Sequence, residues 1–177
     1  MTKLGGDIMT HTFQPIPIDM WELNPFTTIG KDWFLITAGN EEKVNTMTAG
    51  WGGLGVMWGK DVCYIVVRES RYTKEFIDKC DTFSISFFDK EQHSALKYLG
   101  QVSGRDEDKI ANARMHVDYQ DGIPYIDDSR TVVLCKKLSA TQITKNQFVD
   151  SEIDEKWYKD GDYHTMYVGE ILTVMTR

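Results

Sequence analysis

Two short segments of this 177-residue chain combine residue types that could bind a small ligand. The first runs from Asn45 to Trp51 and carries an amide, a thioether and two hydroxyls on a predicted strand that ends in glycines. Small polar side chains and accessible backbone can lie against a flat heteroaromatic ring. An ordinary strand followed by a glycine turn explains the same residues, so both interpretations stay open.

The second segment, Arg68 to Thr73, has the chemistry that a phosphate group requires. It supplies two guanidinium groups and the aliphatic hydroxyls of Ser70 and Thr73 where a helix is predicted to start, and Lys74 adds a third cation. Charge-assisted bonds and the positive end of a helix both favour a bound phosphate. A surface loop with inert ion pairs is the alternative, because exposed charges usually contribute little.

The overall charge limits the kind of anion that the chain can bind. There are 20 Lys and Arg residues against 27 Asp and Glu residues, which gives a formal net charge of -7. Binding to a nucleic-acid backbone requires an excess of cations, so a nucleic-acid binder is not expected. A single phosphate needs only a local cluster. Hydrophobic residues make up 41% of the chain, which indicates one globular domain.

The cysteines, histidines and termini exclude several other classes. Cys63, Cys80 and Cys135 are widely spaced, so we expect buried thiols and neither a disulfide framework nor a metal site. The four histidines show no spacing typical of zinc ligands. No apolar run approaches the roughly 20 residues of a membrane span. Residues 1–14 lack the organisation of a secretory signal, which predicts a cytoplasmic protein.

Short strands dominate the predicted secondary structure. Strands are expected at 32–38, 44–51, 62–67, 82–88, 123–126, 131–144 and 163–175, and helices at 73–80, 89–99, 107–113 and 151–158. Asp89 and Gln92 read as a capping box, and Gly100 reads as a helix stop. The connections between residues 40 and 70 are too short for crossover helices, so an antiparallel barrel with peripheral helices is predicted.

A glycine-rich stretch, Gly50 to Gly55, matches the pattern G-x-G-x-x-G of dinucleotide-binding folds. That fingerprint requires a helix directly after the glycines, whose N-terminus holds the pyrophosphate. The next predicted strand begins at Val62, which leaves no room for such a helix. We therefore reject a dinucleotide-binding fold of this type.

A series of short motifs along the chain resembles one known family. The matching pieces are Asn45-x-Met47-Thr48-x-x-Trp51-Gly52, Val67-Arg68, Arg71-Tyr72-Thr73, Phe83-Ser84-Ile85-Ser86, Ser103-Gly104-Arg105-Asp106-x-Asp108-Lys109, and Asp162-Tyr163-His164 before Val168-Gly169-Glu170. In order and spacing they resemble the flavin reductase-like, FMN-binding split β-barrel family, most closely its flavoredoxin type. The resemblance covers roughly residues 25 to 175.

The resemblance implies a fold and an assembly. The expected fold is mainly β, a six-stranded antiparallel Greek-key split β-barrel with peripheral helices. Residues 1–24 would form an irregular N-terminal segment, and residues 25–177 a single domain. The family further implies a homodimer with FMN near the subunit interface.

The resemblance also assigns roles to individual residues. The implied cofactor-binding residues are Asn45, Met47, Thr48, Ala49 and Trp51 around the isoalloxazine and ribityl chain, Arg68, Arg71 and Thr73 at the phosphate, Ser86 and Phe87 beside the flavin, and Ser103, Arg105 and Lys109 in a helical insert. His164 is the implied catalytic residue and faces the flavin or the nicotinamide. A histidine that merely completes a hydrogen bond in its strand is the alternative.

These expectations lead to one principal functional hypothesis and two alternatives. The principal hypothesis is an oxidoreductase in which NADH or NADPH reduces FMN, and the electrons then pass to an unidentified acceptor. The first alternative is a non-enzymatic FMN electron carrier that a separate enzyme reduces. The second is a binding module of similar barrel type without a redox role.

Overall fold

The computed structural model describes residues 12–177, and strands make up most of its regular structure. The strands are β1 (Gln14–Ile16), β2 (Phe34–Gly39), β3 (Val44–Ala49), β4 (Gly52–Met57), β5 (Lys60–Arg68), β6 (Thr82–Phe87), β7 (Val117–Gln120), β8 (Ile123–Ile126), β9 (Thr131–Gln142) and β10 (His164–Thr176). The helices are α1 (Pro25–Thr28), α2 (Tyr72–Lys79), α3 (His93–Gln101), α4 (Lys109–Asn112) and α5 (Ser151–Trp157). Within residues 12–177, no helix is long and apolar enough to cross a membrane.

One antiparallel sheet forms the body of the molecule. Its strands follow the order β3-β2-β6-β9-β10-β5-β4, and β1 adds to the end of β10. The two edge strands, β3 and β4, are joined by only Gly50 and Trp51. Because so short a link brings the two edges together, the sheet must curl into a barrel that stays open between them. β5 and β6 follow each other in the chain but are separated by β9 and β10, a crossover typical of a Greek key.

Two apolar layers, one on each side of the sheet, explain why β2 reads as a continuous apolar run. Successive residues of a strand point to opposite faces. Phe34 faces the barrel interior with Ile65, Phe83 and Tyr167, whereas Leu35 packs in a separate cluster outside the barrel. That outer cluster contains apolar residues of α3, α4 and β8, so the helical insert between β6 and β9 covers this part of the sheet.

The mainly β class predicted from the sequence is confirmed, but the strand count differs. The main sheet has eight strands instead of six, because β1 and β4 were not recognised. The glycines of β4 suggested a turn, yet its whole length pairs with β5. The N-terminal segment predicted to be irregular over 1–24 contains β1 and a 3₁₀ turn at Ile18–Met20, while residues 1–11 lie outside the described residues.

The predicted ends of the helix that follows β6 are wrong. Asp89 makes no capping hydrogen bond with its side chain, and a 3₁₀ turn at Lys90–Gln92 precedes α3. Gly100 lies inside α3, so it does not stop the helix. A Cβ at Gly100 would lie 3.1 Å from the Cβ of Thr48. Gly100 therefore allows α3 to pack closely on β3.

Candidate functional site

A cavity of about 310 Å³ opens where the barrel is split, next to the link between β3 and β4. Seven of the predicted site residues line it: Met47, Thr48, Ala49, Trp51, Arg68, Arg71 and His164. They come from the end of β3, the end of β5, the start of β10 and the loop before α2. Residues more than 110 positions apart in the chain thus meet in one place.

The edge strand β3 supplies one wall of the cavity. It pairs with β2 on one side only, so its other side offers backbone N–H and C=O groups without a partner in the sheet. Thr48 Oγ1 donates to Leu96 O at 2.5 Å and fixes this wall against α3. A flat ligand with carbonyl and N–H groups along its edge can pair with such a strand.

His164 lies at the start of β10, directly opposite Arg68 on β5. It is 7% exposed, and its ring lies 5.2 Å from that of Trp51. Nδ1 is 2.8 Å from the hydroxyl of Tyr158. Burial and the positive charges of Arg68 and Arg71 lower the pKa of His164 to about 4, so the imidazole is neutral near pH 7.

Arg68 fastens the segment around α5 to the barrel. Its guanidinium donates to Asp162 O at 2.7 Å and to Trp157 O at 3.1 Å, and it faces the ring of Tyr158. We call residues 151–163 the α5 cap. Because these bonds engage the guanidinium, Arg68 positions this cap, although sequence analysis assigned it to the phosphate.

The α5 cap is held by a second attachment and closes one side of the cavity. Asp162 accepts hydrogen bonds from the backbone N–H of Ser70 at 3.1 Å and from its hydroxyl at 2.6 Å. Trp157 lies edge-on to Trp51, with 4.9 Å between the ring centroids. Two indoles in contact with each other therefore form part of the cavity lining.

Arg71 lines the cavity and repels the charge of Lys109, which lines a neighbouring cavity. Arg71 is exposed and uses Nη1 to donate to Gly100 O at 3.0 Å. Lys109 is 4% exposed, and its ammonium donates to Leu99 O at 2.8 Å and Val102 O at 3.0 Å. Burial and the charge of Arg71 lower the pKa of Lys109 to about 8. A bound anion would relieve this repulsion between the two cations.

Lys109, a predicted site residue, is not brought to the first cavity; it lines a second one, of about 430 Å³, together with Asn45. The buried Asn45 Nδ2 donates to Thr73 Oγ1 at 2.9 Å, which ties β3 to α2. A Cβ at Gly104 would come within 2.2 Å of Asn45 Oδ1. Glycine at this position therefore lets the insert loop pass over β3.

Several predicted site residues are not brought to the first cavity. Phe87 is buried in the barrel core beside Phe34. Ser86 is fully buried, and its hydroxyl has no hydrogen-bond partner among residues 12–177. Arg105 pairs with Glu75 at 2.5 Å, and its backbone N–H donates to Ser103 Oγ. Asn45 and Thr73 are buried against each other, so they support the wall from behind.

Sequence reasoning missed part of the lining, namely Gly30, Trp33, Val66 and Trp157. Trp33 has a φ of 66°, which is rare for a bulky side chain, and its ring stacks on that of His93 at 4.3 Å. No sequence pattern marks Trp33 or Trp157 as neighbours of β3. Only the folded chain brings them there.

The remaining titratable groups do not form a metal site in the part of the chain that the structure describes. No group of three or more His, Cys, Asp or Glu residues in 12–177 is arranged to hold an ion. Cys63 and Cys135 are both buried in the barrel, as expected, with 3.3 Å between their sulfur atoms, whereas Cys80, also expected to be buried, is only partly buried.

Comparison with known proteins places this geometry in context. No match was found among curated proteins. The flavoredoxin of Methanosarcina acetivorans is 23% identical, with 82% of this chain and 68% of that chain covered and a TM-score of 0.64. The flavoredoxin of Desulfovibrio vulgaris is 20% identical, with 98% and 77% covered and a TM-score of 0.64.

A third solved structure supports the same fold. It is an FMN-binding domain of a flavin reductase-like enzyme from Shewanella baltica, 15% identical, with 93% of this chain and 77% of that chain covered and a TM-score of 0.67. The sequence profile of the flavin reductase like domain matches residues 27–177. This match spans most of the sequence, and the chain therefore belongs to the flavin reductase-like domain family.

Proposed function

We propose that this protein is an FMN-binding oxidoreductase that passes electrons from NADH or NADPH, through FMN, to an acceptor. One observation carries the proposal: the edge strand β3, the neutral His164 and the exposed guanidinium of Arg71 line one cavity, and the ammonium of Lys109 lies close enough to Arg71 to feel its charge. Membership of the flavin reductase-like family supports the choice of a flavin as the ligand.

The residues at the site fit the two chemical halves of FMN. The free edge of β3 near Thr48 suits the carbonyl and nitrogen atoms along an isoalloxazine ring. Arg71 and Lys109 suit the phosphate, because charge-assisted hydrogen bonds are strong and short. When bound, FMN supplies the chemistry of hydride acceptance and electron release.

Each side chain of the site then has a specific task. The indoles of Trp51 and Trp157 shield one side of the cavity from water. Arg68 holds the α5 cap in place, so that the wall keeps its shape. His164 offers hydrogen bonding without charge, because its pKa of about 4 keeps it neutral. Asn45 and Thr73 fix β3 relative to α2.

We further propose that the protein works as a homodimer. Large apolar side chains are exposed on the hairpin of β4 and β5: Val56, Met57, Trp58 and Tyr64. An exposed apolar patch of this kind is typical of an interface. Light scattering of the purified protein measures the mass, and a mass of one chain would contradict this part of the proposal.

The experiment that tests the function is an absorbance titration of the purified protein with FMN, followed by anaerobic addition of NADH or NADPH. We expect FMN to be taken up and its absorbance to bleach rapidly with at least one nicotinamide. Tight FMN binding without bleaching would indicate the electron carrier instead. A protein that takes up no FMN would contradict both.

A further inference from the structure

The side chain of Tyr158 forms a hydrogen bond with one of the two ring nitrogens of His164. The Tyr158 hydroxyl lies 2.8 Å from His164 Nδ1, and the two rings meet edge to face, with 5.5 Å between their centroids. Both residues are buried, at 6% and 7% exposed. Tyr158 is itself held in place, since its ring stacks between those of Phe148 and Tyr163.

The direction of this hydrogen bond follows from the surroundings of the hydroxyl. The Tyr158 hydroxyl has no other hydrogen-bond partner among residues 12–177. If it accepted a hydrogen bond from Nδ1–H, its own hydrogen would stay unpaired in a buried position, which is unfavourable. If it donates to Nδ1, its own hydrogen is paired, and the one polar hydrogen of the pair left without a partner is that of His164. Donation is therefore favoured, and Nδ1 is the unprotonated nitrogen.

The other ring nitrogen of His164 opens to the cavity. Nε2 makes no hydrogen bond within residues 12–177, and it is not among the fully enclosed polar atoms that lack a partner. The ring lines the cavity together with Trp51 and Arg68. A neutral imidazole carries one hydrogen, and with Nδ1 acting as acceptor that hydrogen is on Nε2.

We propose that Tyr158 is a positioning residue: it donates its hydroxyl hydrogen to His164 Nδ1 and fixes Nε2–H as a neutral hydrogen-bond donor to the cavity. His164 then binds an acceptor, such as a carbonyl oxygen or an unprotonated ring nitrogen. It does not act as a general base, because the only lone pair able to take a proton is held by Tyr158.

One part of this inference rests on the proposed function and the other does not. That the acceptor belongs to FMN or to a nicotinamide depends on flavin binding. The position of the hydrogen on His164 depends on this chain alone. The protein without any ligand therefore gives a direct test.

The test is nitrogen NMR of the histidine-labelled protein near pH 7. Comparison with His164→Gln identifies the signals of His164. We expect the wild type to show one tautomer, protonated on Nε2, and Tyr158→Phe to show the two nitrogen signals move together as tautomers mix. Tyr163→Phe is the matched control, because this neighbouring hydroxyl bonds to Asp154 instead of His164. It should leave the signals of His164 unchanged.

Two results would overturn the inference. One is a wild-type His164 protonated on Nδ1, and the other is a Tyr158→Phe spectrum identical to the wild type. A titration of the labelled protein with FMN separates this from the proposed function. We expect FMN to shift the Nε2 signal. Tautomer signals as expected without FMN binding would contradict the function alone, and FMN binding to an Nδ1-protonated His164 would contradict the inference alone.

Discussion

Two neighbouring cavities place a similar physical stress on different side chains, His164 in the first and Lys109 in the second. At the α5 cap, His164 is buried beside Arg68. At the helical insert, Lys109 is buried, and Arg71 repels its charge. In both cases burial is the main cause of a lowered pKa, and an arginine adds to it. The two side chains nevertheless differ in charge near pH 7: His164 is neutral, and Lys109 is mostly positive.

The difference comes from the starting pKa of each side chain. A lowering from 6.5 to about 4 makes His164 neutral at pH 7. A lowering from 10.5 to about 8 leaves Lys109 mostly charged. The same kind of environment thus gives a neutral donor where an aromatic ring would lie, and a cation where a phosphate would lie. Residue type therefore decides what burial does to the charge of a group.

The largest expected effect is the loss of stability in acid at the His164 end. The folded-state pKa lies below the unfolded value, so the unfolded chain binds the extra proton first. The contribution of the neutral His164 to the free energy of unfolding is complete above pH 6.5 and is lost as the pH falls through about 4. The free energy of unfolding should decrease by about 3 kcal/mol over this range.

Urea denaturation of the wild type and His164→Gln at several pH values measures this contribution as a difference. The variant should lose the steep part of the pH dependence. His116→Gln, which alters an exposed histidine, should keep it. If the free energy of unfolding changed with pH in the same way in the wild type and His164→Gln, burial would not lower the pKa of His164.

The next effect concerns phosphate selectivity at the other end. Arg71→Ala should weaken FMN binding by about 1.5–3 kcal/mol, or roughly ten- to a hundredfold, because a charge-assisted bond is lost. Riboflavin, which lacks the phosphate, should bind almost as before. Fluorescence titration with both flavins measures the ratio. Arg130→Ala is the control, because Arg130 forms an ion pair with Asp89 and does not line the cavity. If Arg71→Ala weakened the binding of both flavins equally, Arg71 would not contact the phosphate.

The charge of Lys109 predicts a pH dependence of FMN affinity. A phosphate favours the protonated lysine, so affinity should decrease as the pH rises through about 8. We expect about a tenfold loss between roughly pH 7.5 and 9.5. Lys109→Met should bind FMN more weakly and without this slope. If riboflavin showed the same slope as FMN, the phosphate would not contact Lys109.

The smallest effect separates Arg68 from Arg71. Arg68→Gln should loosen the α5 cap. Because it acts on the flavin only through the position of this cap, it should weaken FMN and riboflavin alike, by about 1 kcal/mol, or roughly fivefold. Isothermal titration with both flavins tests this. A loss of affinity for FMN alone would indicate that Arg68 binds the phosphate, as the sequence analysis predicted.

Much of the fold could be predicted because its elements have local signals. The apolar run of β2 and the alternation of β6 mark strands by themselves. β4 was missed, because its glycines carry no side-chain pattern and only its pairing with β5 makes it a strand. Gly100 was wrongly predicted to stop a helix. The reason for glycine here is its contact with Thr48, which lies 52 positions earlier in the chain and leaves no local signal.

The candidate site was only partly predictable for a similar reason. Residues near the end of β3, such as Thr48 and Trp51, were recognised because residue types and spacing are local properties. Ser86 and Phe87 lie on β6, whose two faces are both buried, which their sequence does not show. Trp157 was missed, since its contact with Trp51 depends on the position of the α5 cap.

By itself, the sequence determined the strand-rich class and the residue types available for binding a flat, phosphate-bearing ligand. It also determined the ordinary pKa values from which His164 and Lys109 start. Only the tertiary structure decided that Arg68 donates to two carbonyls of the α5 cap whereas Arg71 donates to one carbonyl and stays exposed, and how far each pKa is lowered. Hydrogen bonding and burial depend on neighbours distant in the chain, so no local pattern encodes them.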